Sequence, residues 1–238
     1  MSAASSKAFN NPQRNKDVLA VPWGPVASLL TFFSTELLTF GTLGILASFI
    51  GGESLMQLVI LYSVAGLISL FGAVVLLRTY HFSWRKFFRR PVKGWLYAIP
   101  LYFIQYMFFS NILSRIADQF PSYNSSQAQD FGFSSVSGWG LVGVFFVLVI
   151  IPPITEEILF RGVLYRGLRG KWGRIASALV VSMLFGVLHG QWNVGLDTFV
   201  LSLLLILSLE QTKSLFAPMG IHMLKNLLAF VALFVFHL

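Results

Sequence analysis

Three short motifs near the carboxyl end of this sequence place ionisable and amide side chains inside apolar runs. They read EEILFR at residues 156–161, FGVLH at 185–189 and HMLKN at 222–226. A charged side chain at the centre of a membrane helix costs about 2.5–3.5 kcal/mol on translocon-insertion scales, so such residues usually carry a function there. Their clustering predicts one polar site assembled from three apolar segments.

The first motif holds two adjacent glutamates, whose side chains point about 100° apart on a helix and therefore cannot share one role. Glu157 and Arg161 are four residues apart with the acid first, an order that favours an ion pair. Glu156 is then left without a cation of its own, which suits it to accept a proton. Pro152 and Pro153 precede it, and this pair predicts a break or a kink in the helix. A new helix can start from Pro153, with both glutamates in its first turn.

The other two motifs each align two side chains on one helix face. Phe185 is four residues from His189, so its ring can pack beneath the imidazole. His222 and Asn226 both donate hydrogen bonds, and in a water-poor cavity such a pair can hold the oxyanion of a tetrahedral intermediate, at about 3 kcal/mol per donor. A water between Glu156 and His189 would lose a proton as it attacks a carbonyl carbon. This combination predicts peptide hydrolysis inside a membrane.

A zinc site is the alternative chemistry for the same side chains. Glu156, His189 and His222 would supply three ligands and leave one position for water. However, the sequence has no HExxH motif, and Asn226 is a poor zinc ligand but a natural oxyanion donor. We therefore expect no cofactor and keep zinc as the second possibility. The chain has no cysteine, which excludes a cysteine nucleophile and thiolate ligands.

The composition indicates the solvent in which this chemistry takes place. Of 238 residues, 56% are hydrophobic and 11% are charged, against roughly 25% charged in a soluble domain. This gap excludes a soluble protein and predicts that most of the chain lies in a lipid bilayer. The sequence pI is about 10.0, yet the 17 Lys and Arg residues fall in blocks between apolar runs. A nucleic-acid partner is therefore not expected.

Seven apolar segments, two of them short, follow a polar tail at residues 1–25, and a membrane span needs about 20 such residues. We predict an all-α polytopic membrane bundle of about seven helices, in one membrane domain. Residues 26–138 would form the first three helices and an outer loop, and residues 139–238 the catalytic core. The segments are Val26–Ile50, Ser54–Leu77, Trp95–Leu113, Trp139–Phe160, Ile175–Gly190, Val194–Leu209 and Met219–Leu238.

Basic residues in the connecting loops predict the orientation, because short cytoplasmic loops are enriched in Lys and Arg. The tail, the loop at residues 78–93 and the loop region at residues 166–174 are basic, whereas the loops at 51–53 and 114–138 are not. This alternation predicts a cytoplasmic amino terminus and an outer carboxyl terminus. Glu36 and Asp197 lie inside predicted spans with no assigned cation, and we interpret them as misplaced boundaries or helix-packing contacts.

The three motifs resemble the EExxxR, FxxxH and HxxxN motifs of the CPBP family of intramembrane proteases. This family includes the eukaryotic type II CAAX prenyl endopeptidases and the bacterial bacteriocin-processing and self-immunity proteins. The motifs occur in the family's order on successive apolar segments, and the resemblance covers the chain from about Trp139 to its carboxyl terminus.

The resemblance implies an all-helical membrane protease in which Glu156 and His189 activate water and His222 and Asn226 form the oxyanion site. Glu157 and Arg161 would be supporting residues, as would Phe185. The expected partners are the lipid bilayer and a peptide or lipidated-protein substrate, in a multi-pass protein of a bacterial plasma membrane. Two other functions stay open: a non-catalytic immunity or partner-binding protein, and a proton-relaying transporter.

Overall fold

The structure is a computed structural model that describes residues 17–49, 55–125, 127 and 136–236. Within these ranges the ordered elements are helices, and no strand occurs. The predicted all-α polytopic bundle is therefore confirmed. Residues 1–16 of the predicted tail and the predicted turn at 51–53 lie outside the described ranges. The helices are α1 Pro25–Phe49, α2 Leu55–Thr79, α3 Trp84–Phe87, α4 Trp95–Ala117, α5 Gly140–Trp172, α6 Arg174–Val187, α7 Trp192–Thr212 and α8 Phe216–Phe236.

In the described part of the chain, six helices are long and apolar enough to cross a membrane, one fewer than predicted. The exception is the predicted span Ile175–Gly190, because α6 has only 14 residues. At 1.5 Å per residue it covers about 21 Å, short of a hydrocarbon core of about 30 Å. Gly190 has a φ of +71°, a left-handed conformation that glycine adopts without strain, and it turns the chain back into α7. Helices α6 and α7 therefore form an antiparallel hairpin.

Helix α5 lies at the centre of the bundle and packs against α1, α2, α6 and α8, while α7 packs against α4, α6 and α8. The predicted start of a new helix at Pro153 is wrong. The helix continues through the prolines, and its backbone widens into π-helical turns over Phe146–Ile150 and again over Glu157–Tyr165. Such wide turns often accompany functional sites. The glutamates consequently lie in the middle of a long helix, away from any helix amino terminus.

The prolines leave the backbone carbonyl of Leu148 in α5 without a helical partner. The oxygen of Leu148 would accept from residue 152 in an α-helix or from residue 153 in a π-helix, and neither proline has an N–H group. Asn226 of α8 donates its Nδ2 to this oxygen over 2.8 Å. The proline pair thus supplies an acceptor that ties α8 to α5, where the sequence pattern indicated only a break.

The carboxyl-terminal end of α5 is held by the segment that precedes α1. Two arginines expected in a basic loop, Arg166 and Arg169, are buried residues of α5. Arg166 donates to the backbone oxygens of Leu19 and Phe87 over 3.0 and 3.2 Å. The Trp23 indole donates to the oxygen of Val163 over 3.1 Å. The predicted exposed tail is therefore wrong for Leu19 and Trp23, which are buried.

An ion-pair group closes this end of the bundle. Arg169 pairs with Asp17 and with Glu210 of α7, and Tyr165 donates to Glu210 over 2.8 Å. Burial disfavours the charged form of Asp17, but hydrogen bonds from Arg169 and the Leu19 amide hold the pKa of Asp17 below its usual range. These contacts join the amino-terminal segment, α5 and α7.

Gly167→Ala tests this packing. A Cβ at residue 167 would collide with Ser28 Oγ and with the Trp23 ring at 2.8 Å. We expect overpacking to lower the free energy of unfolding by about 1–3 kcal/mol, measured by thermal unfolding in detergent micelles. The control is Gly41→Ala in α1, where nothing lies within 4 Å of the added carbon. Equal unfolding temperatures for the two variants would contradict this account.

Candidate active site

An ion pair without solvent exposure lies at the centre of the candidate site. Glu157 and Arg161 of α5 are both 0% exposed, and Arg161 Nη1 donates to Glu157 Oε1 over 3.0 Å. The pair expected from their four-residue spacing is therefore present. The Arg161 guanidinium also lies 4.5 Å from the centroid of the Phe185 ring, a cation–π distance. These contacts fix the guanidinium between α5 and α6.

His222 of α8 lies between the two glutamates. Its Nδ1 is 3.0 Å from Glu157 Oε1 and its Nε2 is 3.9 Å from Glu156 Oε2. Because an ionised carboxylate only accepts hydrogen bonds, the hydrogen of a neutral His222 is assigned to Nδ1. Nε2 is then the ring nitrogen directed at Glu156. The predicted oxyanion donor thus already uses one of its two nitrogens on Glu157.

Glu156 has different surroundings from its neighbour. Its side chain is 30% exposed, and its Oε2 atom is buried without a hydrogen-bond partner. The negative charges of Glu157 and, more weakly, Glu36 disfavour its ionised form, whereas the positive charges of Arg161 and Lys225 favour it. The carboxylate of Glu157 is therefore used in an ion pair, whereas that of its neighbour Glu156 keeps an oxygen without a hydrogen bond.

His189 lies just beyond α6, in the turn before α7. Its Nδ1 is 2.7 Å from the backbone oxygen of Phe185, so Nδ1 carries the hydrogen and Nε2 keeps a lone pair. The Phe185 ring lies 4.9 Å from the His189 ring and 5.8 Å from the His222 ring, between centroids. The sequence predicted an aromatic ring beneath one imidazole. The structure places that ring against both histidines and against Arg161.

Asn226 is one turn beyond His222 on α8. One of its two N–H groups is used on the Leu148 oxygen, so an oxyanion contact would need the other. The structure thus gives this side chain a structural contact that the sequence did not predict. The prolines four and five residues after Leu148 were a usable sequence signal, because they leave the Leu148 oxygen without a helical donor.

Polar atoms without a protein partner concentrate in this site. Among the described buried side-chain atoms that lack a hydrogen bond, half belong to three residues of the first motif. The others are four hydroxyl groups spread over three helices, α1, α6 and α7. Burial of an unpaired polar group costs free energy, and such groups at one place in a native structure often mark a functional site. The atoms are Glu156 Oε2, Glu157 Oε2, Arg161 Nε and Arg161 Nη2.

The three residues that the zinc alternative would use, Glu156, His189 and His222, are not grouped as metal ligands in the described structure. Within the described ranges, no three His, Asp or Glu side chains are grouped closely enough to hold a metal ion. His222 Nε2 and Glu156 Oε2 are 3.9 Å apart, whereas two ligands of a tetrahedral zinc lie roughly 3.4 Å apart, given bonds of about 2.0–2.1 Å. We therefore derive no step through a metal.

A second polar group surrounds Asp197 of α7, for which the sequence suggested no cation. Lys225 Nζ of α8 lies 4.0 Å from Asp197 Oδ2. Tyr106 Oη donates to the same carboxylate over 2.8 Å, and Ser110 also donates to it. Sequence reasoning missed Tyr106 and Ser110, although their four-residue spacing on α4 was a usable signal.

Glu157→Gln tests the structural role of the buried pair. Loss of the carboxylate charge leaves Arg161 buried without its partner, so we expect the free energy of unfolding to fall by about 3–5 kcal/mol. The measurement is chemical unfolding of purified protein in detergent. Glu156→Gln is the matched control, because Glu156 is partly exposed and makes no direct ion pair with Arg161. A destabilisation of equal size in the two variants would contradict the assignment.

The comparison with protein families covers the part of the chain that holds all three motifs. Residues 138–228 match the family model described as Type II CAAX prenyl endopeptidase Rce1-like. Comparisons with curated proteins and with solved structures each found no match. The resemblance to the CAAX protease family is therefore confirmed for residues 138–228, the part of the chain that carries the three motifs.

Proposed function

We propose that this protein is an intramembrane endopeptidase that hydrolyses a peptide bond of a membrane-associated or lipidated substrate. Glu156 and His189 activate the attacking water, and His222 and Asn226 hold the oxyanion. The Rce1-like domain supports peptidase activity in general, and the six apolar helices support an integral membrane protein. The substrate and the roles of individual residues belong to the proposal.

The observation that carries this proposal is the unequal use of the two glutamates. Glu157 is engaged by Arg161 and by His222 Nδ1, both at 3.0 Å. Glu156 stands next to it with a free carboxylate oxygen, 3.9 Å from His222 Nε2. A carboxylate that is held near an imidazole and keeps one oxygen without a hydrogen bond is suited to take a proton from water.

The reaction follows from this placement. Glu156 accepts a proton from water while the water oxygen bonds to the carbonyl carbon, and His189 Nε2 orients the second hydrogen of that water. The carbonyl oxygen gains the negative charge. The protonated Glu156 then returns its proton to the leaving nitrogen as the C–N bond breaks. The products are a carboxylate and an amine, and one water is consumed.

His222 stabilises the oxyanion through Nε2. Because Nδ1–H is directed at Glu157, Nε2 carries a hydrogen only after the ring has taken up a proton from the solvent, and this proton stays on the ring while the oxyanion forms and collapses. A carboxylate at Nδ1 stabilises such an imidazolium and fixes its orientation. Glu157 therefore serves this chemistry through His222, and Arg161 in turn holds Glu157.

Substitution of the site residues tests the proposal. We expect Glu156→Gln to lower kcat by about 10²–10⁴-fold, as for loss of a general base, and Asn226→Ala by about 10²–10³-fold, as for loss of an oxyanion donor. His189→Gln and His222→Ala should also lose activity. The measurement is cleavage of prenylated and unprenylated membrane peptides by protein reconstituted in liposomes.

The matched control for the histidine variants is His81→Gln, an exposed residue between α2 and α3. It should keep the wild-type rate. Cleavage that survives the changes at Glu156, His189 and His222 would contradict the site assignment. If wild-type protein binds the peptides but cleaves none of them, the partner-binding function takes the place of the protease.

A chelator separates the proposed chemistry from its zinc variant. In the proposed reaction Glu156 and the two histidines act without a metal, so we expect an unchanged kcat after dialysis against a strong chelator. The measurement is the same peptide cleavage before and after treatment. Loss of cleavage that Zn²⁺ restores would assign Glu156, His189 and His222 as zinc ligands instead.

A further inference from the structure

A polar stripe runs along three turns of the otherwise apolar helix α4. Tyr106, Ser110 and Ser114 are spaced four residues apart, which puts them on one face. The hydroxyl groups of Tyr106 and Ser110 donate to Asp197 of α7. At the other end, Tyr123 of the following loop donates to Ser114 over 3.3 Å. The stripe therefore leads from the loop after α4 down to Asp197.

This stripe forms one wall of a cleft of about 540 Å³ between α4 and α7. The residue types around the cleft are polar with one exception, a methionine. Two oppositely charged residues, Arg115 and Asp118, lie toward its loop end, where Asp118 accepts from the Ser125 amide and hydroxyl over 3.1 and 2.7 Å. Binding pockets for organic ligands are mostly apolar. A lining of hydroxyl, amide and charged groups favours water as the occupant.

Asp197, a lining residue of the cleft, and its neighbour Lys225 support the same conclusion. The side chains of Asp197 and Lys225 are 24% and 22% exposed, and their charged atoms are 4.0 Å apart. Both residues lie within membrane-spanning helices, where exposure of a charge to hydrocarbon is costly. Their exposed portions therefore face water, and the cleft is the polar space beside them.

Lys225 connects this cleft with the candidate active site. It lies three residues after His222 on α8, and its ammonium group is in electrostatic range of Glu156 and His189. His222 itself is buried, while the proposed hydrolysis consumes one water in each turnover. The site thus needs a supply of water, and Asp197, which lines the cleft, lies 4.0 Å from the ammonium group of Lys225.

We propose that the cleft between α4 and α7 is the route by which water enters the active site, with Asp197 and Lys225 at its inner end. This inference rests on the proposed function, because only a hydrolase needs such a supply. A water molecule takes up about 30 Å³ in the liquid, so the cleft accommodates several at once. Asp197 and its hydroxyl partners hold this space open between α4 and α7.

The chain has no native cysteine, so single cysteines report water access directly. Ser114→Cys places a thiol in the cleft, and Phe108→Cys places one on the 60% exposed outer surface of the same helix. A charged, membrane-impermeant thiosulfonate reacts with the thiolate, which forms only in water. In liposomes we expect Ser114→Cys to react at least about tenfold faster than Phe108→Cys. Asn111→Cys, a second lining position, should behave like Ser114→Cys.

Activity of the same labelled protein tests the route itself. After complete modification of Ser114→Cys, we expect kcat to fall about tenfold relative to the unmodified sample, since water entry becomes limiting. Modified Phe108→Cys should keep its own starting rate. An unreactive Ser114→Cys, or an unchanged kcat after full modification, would overturn the water route.

Two further experiments distinguish failure of the water route from failure of the proposed function, and a water route from a cleft that binds peptide. Labelling does not depend on turnover, so Ser114→Cys should react equally fast with Glu156 intact or changed to Gln. If wild-type protein cleaves and the Glu156→Gln variant does not, an unreactive Ser114→Cys refutes the water route alone. If bound peptide protects Ser114→Cys in the Glu156→Gln background, the cleft holds substrate and the water route is wrong.

Discussion

Burial of the Arg161 guanidinium is the constraint on which the rest of this bundle depends. A buried cation without a partner costs several kcal/mol, and the cost is met only where a carboxylate lies in good geometry. Glu157 supplies that carboxylate from α5, Phe185 supplies a ring face from α6, and His222 supplies a donor from α8. The charge thus fixes three helices relative to one another. Because Glu157 is used in this way, its neighbour Glu156 keeps a free oxygen.

Much of this arrangement was predictable because it depends on local spacing. The four-residue spacing on a helix predicted the pair of Glu157 and Arg161 and the packing of Phe185 against His189. The lengths of the apolar runs predicted five of the six spans, with each described end placed within about five residues. Contacts between helices were harder. Nothing in the HMLKN motif indicates that His222 faces Glu157, because that contact joins residues 65 positions apart.

Two predictions about α5 were wrong, and both have physical causes. Two prolines break most helices, but here a wide turn before them and a donor from Asn226 satisfy the freed carbonyl of Leu148. Runs of arginine usually mark a loop, but Arg166 and Arg169 are helix residues whose charges are satisfied by backbone oxygens and carboxylates. In both cases the partner lies on a segment that is distant in sequence. A pattern of neighbouring residues gives no information about such a contact.

The shortness of α6 has a consequence for how this protein responds to its membrane. A spanning helix adapts to a thicker or thinner bilayer by tilting, since both its ends are drawn to the two interfaces. Helix α6 has 14 residues and is too short to be stretched between interfaces. Its position is set by the Phe185 ring packed on Arg161 and by the hairpin with α7. The height of His189 relative to the glutamates is therefore decoupled from lipid chain length, and the same geometry persists in membranes of different thickness.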